Sequence, residues 1–201
     1  MMNEMHRGAM MIGLIALTGL IAAPAGAADC NQAENLLSNC DFTTDMTDWY
    51  LSVGDWWRHD PTDGATAPGC VEVDAAFDGA NHYVQIESIC VPTTAGATYD
   101  LGFSVRVTSG PPGGTCVARA HYFTDTSCSF HLAFQYVPSF SADSTWQQTF
   151  ESQVAPATAG SAMFGVLCNN PSDPSDFQVR IDDALFGQGL VPVELMSFSV
   201  E

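Results

Sequence analysis

The chain has 201 residues, a length compatible with one or two domains, and 46% of them are hydrophobic, which is enough for a folded core. It contains 23 Asp and Glu against five positively charged residues, all of them arginines, for a net charge of −18. Such a surface repels phosphate backbones and anionic lipid headgroups, so nucleic-acid binding and anionic-membrane binding are disfavoured.

The first 27 residues have the pattern of a secretory signal peptide. Arg7 lies in a short polar start, residues 12–23 are apolar, and Ala25-Gly26-Ala27 supplies small residues for cleavage. The apolar run is too short to span a bilayer, which takes about 20 residues. We therefore expect a secreted chain, located outside the cell, at its surface or in the periplasm, with no membrane insertion.

All seven cysteines follow the predicted signal peptide. Their scattered spacing and the expected export favour disulfides over a zinc site, so we predict three intramolecular disulfides. The seventh cysteine either stays free or pairs between chains. The spacing leaves open which cysteine is unpaired. Cys116 and Cys128 lie at opposite ends of a predicted hairpin, which disfavours a bond between them.

The clearest strand signal lies in residues 91–107. Apolar side chains occupy every second position from Tyr99 to Val107, and polar residues or glycine fill the positions between them. This period of two predicts a half-buried β-strand with one apolar face. A second sheet must cover that face, so the segment predicts a sandwich or a barrel.

Shorter segments with turn residues between them predict further strands at residues 35–42, 56–59, 70–73, 82–91, 115–123, 130–134, 146–151, 162–168 and 177–186. Helical spacing is missing after the signal peptide. We therefore predict an all-β fold, an antiparallel two-sheet β-sandwich of the jelly-roll type, over residues 28–187. Residues 188–201 form a strand-like tail.

Arginines are the sharpest candidates for binding residues. Arg106, Arg119 and Arg180 occupy polar positions of predicted strands, and His121 shares a face with Arg119 because it lies two residues further on. One interpretation is that these four residues line a single open groove and donate hydrogen bonds to sugar hydroxyls. The other is that the arginines pair with some of the many carboxylates.

Aromatic side chains supply the stacking surface that a sugar ring needs, because its C–H face packs on an aromatic plane. The candidates are Trp57, Tyr83, Tyr122 and Tyr136. Each of them has an alternative role as a residue of the core or of a sheet edge.

Signatures of catalysis are missing from the sequence. It has no G-x-S-x-G, H-E-x-x-H or G-x-x-x-x-G-K-[ST] motif. Among so many acidic residues a carboxylate pair is expected by chance and indicates no glycosidase. We expect no enzymatic activity.

Three segments together resemble a known family. Residues 35–42 (NLLSNCDF) with Asp48-Trp49 resemble the N-L-x-x-N-G-D-F-E…G-W opening of jelly-roll carbohydrate-binding modules, which are appended to xylanases and cellulases. Residues 90–99 (CVPTTAGATY) are similar to the V-x-A-G-x-x-Y turn of these modules, and residues 181–184 (IDDA) to their I-D-D-V strand. The resemblance covers roughly residues 35–186.

The resemblance implies a two-sheet sandwich that binds a polysaccharide or other glycan, often with a structural calcium ion near the first and last strands. The matching positions for calcium are Asp41, Asp182 and Asp183. Two departures weaken this expectation: Cys40 replaces the glycine of the motif, and Thr43 replaces a glutamate that would offer calcium an oxygen ligand. The alternative is that the aspartates only end a strand.

The resemblance also implies one disulfide, because similar modules carry cysteines at the positions of Cys90 and Cys128. Trp49 matches the tryptophan in the core of these modules.

The tail reads LVPVELMSFSVE from residue 190, and it is similar to the C-terminal tails of some bacterial secreted proteins. It is either an extra edge strand of its own sheet or a strand donated to a sorting receptor or a neighbouring subunit.

These patterns favour an exported, non-catalytic protein that recognises a glycan on the polar face of a jelly-roll sheet. The alternative is a structural or adhesive surface protein that uses the same fold for protein–protein contacts.

Overall fold

The computed structural model describes residues 30–66, 68–77, 81–110, 114–170 and 176–190. The predicted signal peptide and residues 191–201 of the predicted tail lie outside the described residues. Where the structure describes the chain, it consists of strands, turns and bends without a helix. No helix long and apolar enough to cross a membrane occurs there.

The described residues form 13 strands: β1 (Trp49–Val53), β2 (Trp56–Asp60), β3 (Cys70–Asp74), β4 (Ala76–Phe77), β5 (His82–Ser88), β6 (Val91–Pro92), β7 (Thr98–Ser109), β8 (Thr115–Phe123), β9 (His131–Tyr136), β10 (Phe140–Ser141), β11 (Gln147–Val154), β12 (Ser161–Asn170) and β13 (Gln178–Gly187).

The strands form two antiparallel sheets that pack face to face as a jelly-roll sandwich. An eight-stranded sheet has the order β1-β5-β12-β8-β10, with β4 paired to β5, β6 to β12 and β9 to β8. A five-stranded sheet has the order β11-β7-β13-β3-β2. Neighbours in each sheet are mostly distant in sequence, as expected when the chain crosses repeatedly between two sheets. The predicted all-β fold class is confirmed.

Strand β7 has the predicted apolar face, but the predicted solvent-exposed face is wrong for much of its length, because Asp100 and Ser104 are also buried. Tyr99, Leu101, Phe103 and Val105 are at most 1% exposed and point into the sandwich. The strand pairs with β11 on one side and β13 on the other, so it lies inside its sheet. Its apolar face needs the cover that the eight-stranded sheet supplies.

Aromatic rings join the two sheets across the core. Phe186 of the five-stranded sheet stacks on Tyr99 with ring centroids 5.0 Å apart, and it lies 6.3 Å from Phe164 of the other sheet. Trp49 packs against Phe164 and Phe42 with centroids 6.2 and 5.1 Å apart. Trp49 is therefore a core residue, as the resemblance implied.

The strand predicted at residues 35–42 does not form. The segment makes turns, and one isolated bridge joins Asn35 to Gly187. Asn39 and Phe42 have φ angles of 50° and 47°, in the left-handed region that a strand excludes. These turns bring Phe42 into the core, where it is fully buried.

Three disulfides form, as predicted, and they join Cys30 to Cys40, Cys90 to Cys128 and Cys116 to Cys168. The Cys90–Cys128 bond that the resemblance implied is thus confirmed. The remaining cysteine, Cys70, is buried and unpaired. Burial raises the pKa of its thiol to about 12, so the group stays protonated and unreactive at neutral pH.

We expect Phe103→Ala to lower the free energy of unfolding by about 3–5 kcal/mol, because removing this fully buried ring leaves a cavity in the core. Urea denaturation of the oxidised protein measures this change. The control is Thr98→Ala, an exposed position of the same strand, which we expect to change stability by less than about 0.5 kcal/mol. Equal effects of the two substitutions would contradict the position of β7 in the core.

Candidate functional site

Five residues in register cross the outer face of the eight-stranded sheet, and we call them the central row. From β1 to β9 they are Tyr50, Glu87, Gly165, Arg119 and Tyr136, each paired directly with the next. Their neighbours along each inner strand point into the core, so the pleat directs the row outward. The row runs across the strands and has a tyrosine at each end of a charged centre.

A glycine at the centre of the row lets two charged side chains meet. Gly165 lies on β12, between Glu87 on β5 and Arg119 on β8. A Cβ atom at this position would lie 3.2 Å from Cγ of Glu87 and 3.8 Å from Nε of Arg119. Because Gly165 has no side chain, Nη2 of Arg119 reaches across β12 and donates to Oε1 of Glu87.

This ion pair is largely shielded from water. The side chains of Arg119 and Glu87 are 10% and 8% exposed, and Oε2 of Glu87 accepts a hydrogen bond of 3.0 Å from the Tyr50 hydroxyl. Burial, with the charge of Glu87, raises the pKa of Tyr50, so its hydroxyl remains a donor. Both carboxylate oxygens therefore have partners, which a buried charge requires.

Aromatic rings flank the pair on the β9 side. The guanidinium carbon of Arg119 lies 4.6 Å from the ring centroid of Phe134, a cation–π contact. Phe134 and Tyr136 are 42% and 48% exposed, and their centroids are 6.3 Å apart. Together they form an accessible aromatic strip along β9.

His121 lies beside this strip, two residues after Arg119. Its ring is 4.0 Å from Phe123 and 4.2 Å from Phe134, measured between centroids, and its Nε2 lies 2.8 Å from Nδ1 of His131. Burial lowers the pKa of His121 to about 4, and the His131 and Arg119 charges act in the same direction. The imidazole is therefore neutral at neutral pH.

Amide and hydroxyl groups lie on the other side of the central row. Gln85 donates a hydrogen bond of 3.0 Å from Nε2 to Oγ of Ser52. Tyr83 follows on the same face of β5 and is half-buried. Among the described strand residues of this face, the formal charges of Glu87 and Arg119 cancel, so the face combines neutral hydrogen-bonding groups with aromatic rings.

The structure brings Arg119, His121 and Tyr83 onto this face but not the other two predicted arginines. Arg106 and Arg180 are paired residues on the outer face of the five-stranded sheet, at the opposite side of the sandwich. The prediction that one groove holds all four residues is therefore wrong. The alternation correctly predicted that Arg106 and Arg180 point outward, but it does not specify the sheet to which a strand belongs.

The opposite face binds its arginines in a network of ion pairs. Asp63 accepts hydrogen bonds from both Arg106 and Arg180. Nη2 of Arg180 also lies 2.7 Å from Oδ2 of Asp60 and 2.7 Å from Oε2 of Glu72. Arg119 pairs with Glu87, so all three predicted arginines form ion pairs, as the second interpretation had it. Of the three, only Arg119 lies on the outer face of the eight-stranded sheet.

Two of the aromatic candidates are not available for stacking. Tyr122 is fully buried because it follows His121 directly and so points to the opposite side of β8. Trp57 pairs with the buried Val73 and packs half-buried against the core. Its neighbour Trp56 is the tryptophan that faces outward, on the five-stranded sheet, under the guanidinium of Arg58.

The three carboxylates predicted to hold calcium have partners within the chain. Asp182 accepts hydrogen bonds from the backbone N–H groups of Ala65 and Asp183, at 2.7 and 2.8 Å. Asp183 accepts one of 2.7 Å from the Thr66 hydroxyl. Burial and the adjacent charge of Asp183 raise the pKa of Asp182.

Asp41 is engaged separately, with Thr43 N–H at 3.2 Å and Asn31 Nδ2 at 3.1 Å. In the described ranges no three His, Cys, Asp or Glu side chains are grouped so that they could hold a metal ion. Calcium binding through Asp41, Asp182 and Asp183 thus remains a prediction.

Sequence reasoning missed Tyr50, Glu87, Phe134 and Gly165. A signal existed for Glu87, because continuing the alternation of β5 by one step places it on the face of Tyr83. Gly165 carries no such signal, since its role depends on the register of β12 with both neighbouring strands.

No protein-family model and no curated protein matches this sequence. Solved structures do match the fold. TmCBM61 in complex with β-1,4-galactotriose superposes with a TM-score of 0.55 at 13% identity, over 78% of this chain and 99% of that one. The CBM22-1 xylan-binding domain from Paenibacillus barcinonensis gives a TM-score of 0.55 at 11% identity, over 83% of this chain and 97% of that one.

A third similar structure is the enzymatically active domain of the bacteriophage CBA120 tailspike protein 4. The TM-score is 0.55 at 14% identity, over 76% of this chain but only 21% of that one. The matched structures are mostly carbohydrate-binding modules. At these identities the similarity establishes the fold, and the predicted fold resemblance to jelly-roll carbohydrate-binding modules is confirmed.

We expect Glu87→Gln to lower the free energy of unfolding by about 3–5 kcal/mol, because it leaves the Arg119 charge buried without its partner. The double variant Glu87→Gln with Arg119→Met removes that charge and recovers most of the loss. Urea denaturation at pH 7 measures both.

The matched control is Arg58→Met, because the Arg58 side chain is 61% exposed and pairs with Glu72. We expect it to cost less than about 1 kcal/mol. A Glu87→Gln variant as stable as the Arg58→Met variant would show that the pair is not shielded as described.

Proposed function

We propose that this chain is an exported, non-catalytic protein that binds a polysaccharide across the outer face of the eight-stranded sheet. The observation that carries the proposal is the central row, in which Tyr50 and Tyr136 flank the ion pair above Gly165. A glycan chain lying along the row crosses the strands and meets each of these groups in turn.

The chemistry of the face supports this function. Exposed rings at Phe134 and Tyr136 offer planes for the C–H faces of sugars. Gln85 and Ser52 supply fixed donors and acceptors for hydroxyl groups around the ring. The shielded Arg119–Glu87 pair lies beneath them and holds the surface in place. Since the charges of Arg119 and Glu87 compensate each other, an uncharged polymer meets no net repulsion.

The fold neighbours support a glycan partner, because the structures named above include one with bound galactotriose and one described as xylan-binding. Three disulfides support export to an oxidising compartment. Two further parts of the proposal rest on the sequence: a structural calcium ion near Asp41, Asp182 and Asp183, and a role for the tail, residues 188–201, as a strand for a sorting receptor or a neighbouring subunit.

The test is affinity electrophoresis and calorimetry of the secreted protein with xylan, β-1,4-galactan and mixed-linkage β-glucan, each with calcium and with a chelator. We expect at least one polysaccharide to bind, and Tyr136→Ala to weaken that binding roughly tenfold, or about 1.4 kcal/mol. Gly165→Val fills the gap in the central row and should abolish binding in a protein that still unfolds cooperatively.

The matched control is Trp56→Ala, which removes a ring that is 37% exposed on the opposite sheet. Its affinity should equal that of the unmodified chain. Binding that is lost in Trp56→Ala and kept in Tyr136→Ala would show that the ligand binds the five-stranded sheet, which would contradict the proposal. A folded protein that retains none of the polysaccharides would favour the structural or adhesive role, in which the same face contacts a protein.

A further inference from the structure

Two imidazole nitrogens converge at the edge of the aromatic strip. Nε2 of His121 and Nδ1 of His131 are 2.8 Å apart, and the two rings are tilted by 61° to each other. His121 lies on β8 and His131 at the start of β9, so two paired strands hold the nitrogens in place. His131 is exposed, which leaves the pair accessible to solvent.

The two nitrogens face each other in a hydrogen bond, with the ring centroids 4.9 Å apart. An ion shared by both rings would replace this hydrogen bond after rotation of the exposed His131 ring. Cu²⁺ and Ni²⁺ bind imidazole nitrogens at right angles in square-planar and tetragonal sites. Zinc sites take three or four protein ligands, more than this pair supplies.

The tautomers of the pair also permit a metal ion, since metals bind the neutral imidazole. In the hydrogen-bonded pair one facing nitrogen carries a proton. When a metal takes its place, that proton moves to the other nitrogen of the same ring, so binding needs no net loss of protons.

The surrounding charges permit a cation at this point. Arg119 is the nearby positive group, and its charge is compensated by the ion pair with Glu87. The chain as a whole carries a net charge of −18, which draws cations toward the protein at low ionic strength.

We propose that His121 and His131 form a binding site for a first-row transition-metal ion of the Cu²⁺ or Ni²⁺ class. The two imidazoles occupy adjacent positions around the ion, and water completes the coordination on the exposed side. The site lies beside Phe134, at the edge of the face that we propose for glycans, but metal binding does not depend on glycan binding.

The experiment is isothermal titration of the secreted, untagged protein with NiCl₂ and with CuCl₂ at pH 7.5, in a buffer that does not chelate metals and without polysaccharide. We expect one ion per chain and an increase in the thermal unfolding midpoint on saturation. His121→Ala and His131→Ala should each weaken binding roughly tenfold or more, because either change removes the chelate. Binding should also weaken in acid, where protons compete for the nitrogens.

The matched control is His59→Gln, in which an amide replaces the imidazole that contacts the Phe42 carbonyl on the other sheet. This variant should bind the metal as tightly as the unmodified chain. Nitrogen splitting from two imidazoles in the Cu²⁺ electron paramagnetic resonance spectrum provides a readout that does not depend on any variant. Absence of saturable binding, or equal affinity in the three single variants, would overturn the proposal.

Discussion

Two sheets can share one apolar interior only if every strand keeps its alternating side chains in phase with its neighbours. Strand β7 shows the constraint most clearly, because Tyr99, Leu101, Phe103 and Val105 all point inward. The alternate positions point to the outer face, where Asp100 and Ser104 are also covered by the chain. A slip of one residue would exchange the two sets. The same phase that builds the core therefore decides which polar groups reach each outer surface.

The two outer surfaces use their arginines differently. On the five-stranded sheet, Arg106 and Arg180 converge on Asp63 in a network of several carboxylates. On the eight-stranded sheet, one pair, Arg119 with Glu87, meets over a glycine between rings that remain accessible. The first arrangement covers its sheet with ion pairs, whereas the second leaves a neutral surface with polar and aromatic groups, which is the kind of surface a sugar polymer requires.

Much of the fold was readable from the sequence, because alternation and turn residues are local signals. The segment with Asn39 and Phe42 was an exception, since left-handed backbone conformations do not show in a pattern of apolar residues. Alternation also excludes Tyr122 from the face of His121, although both were predicted to bind. The orientation of Trp57 was not readable, because the sequence around it does not alternate and only pairing with β3 decides it.

The site was harder to predict because it depends on pairing across strands. Arg119 and His121 were found from their spacing on a single strand. Their partners Glu87 and Gly165 come from strands that are distant in sequence, and only the register of β5, β12 and β8 brings them together. A single sequence contains no record of that register.

The Cys116–Cys168 disulfide has a consequence for recognition. It joins directly paired positions of β8 and β12, on the core side of the strands that carry Arg119 and Gly165. Oxidation thus stiffens the sheet beneath the proposed glycan-binding face before any ligand arrives, and less conformational freedom is lost when a polymer binds. In a newly made chain with reduced thiols, strands β8 and β12 would be more flexible. The chain would therefore bind its ligand fully only after this disulfide has formed.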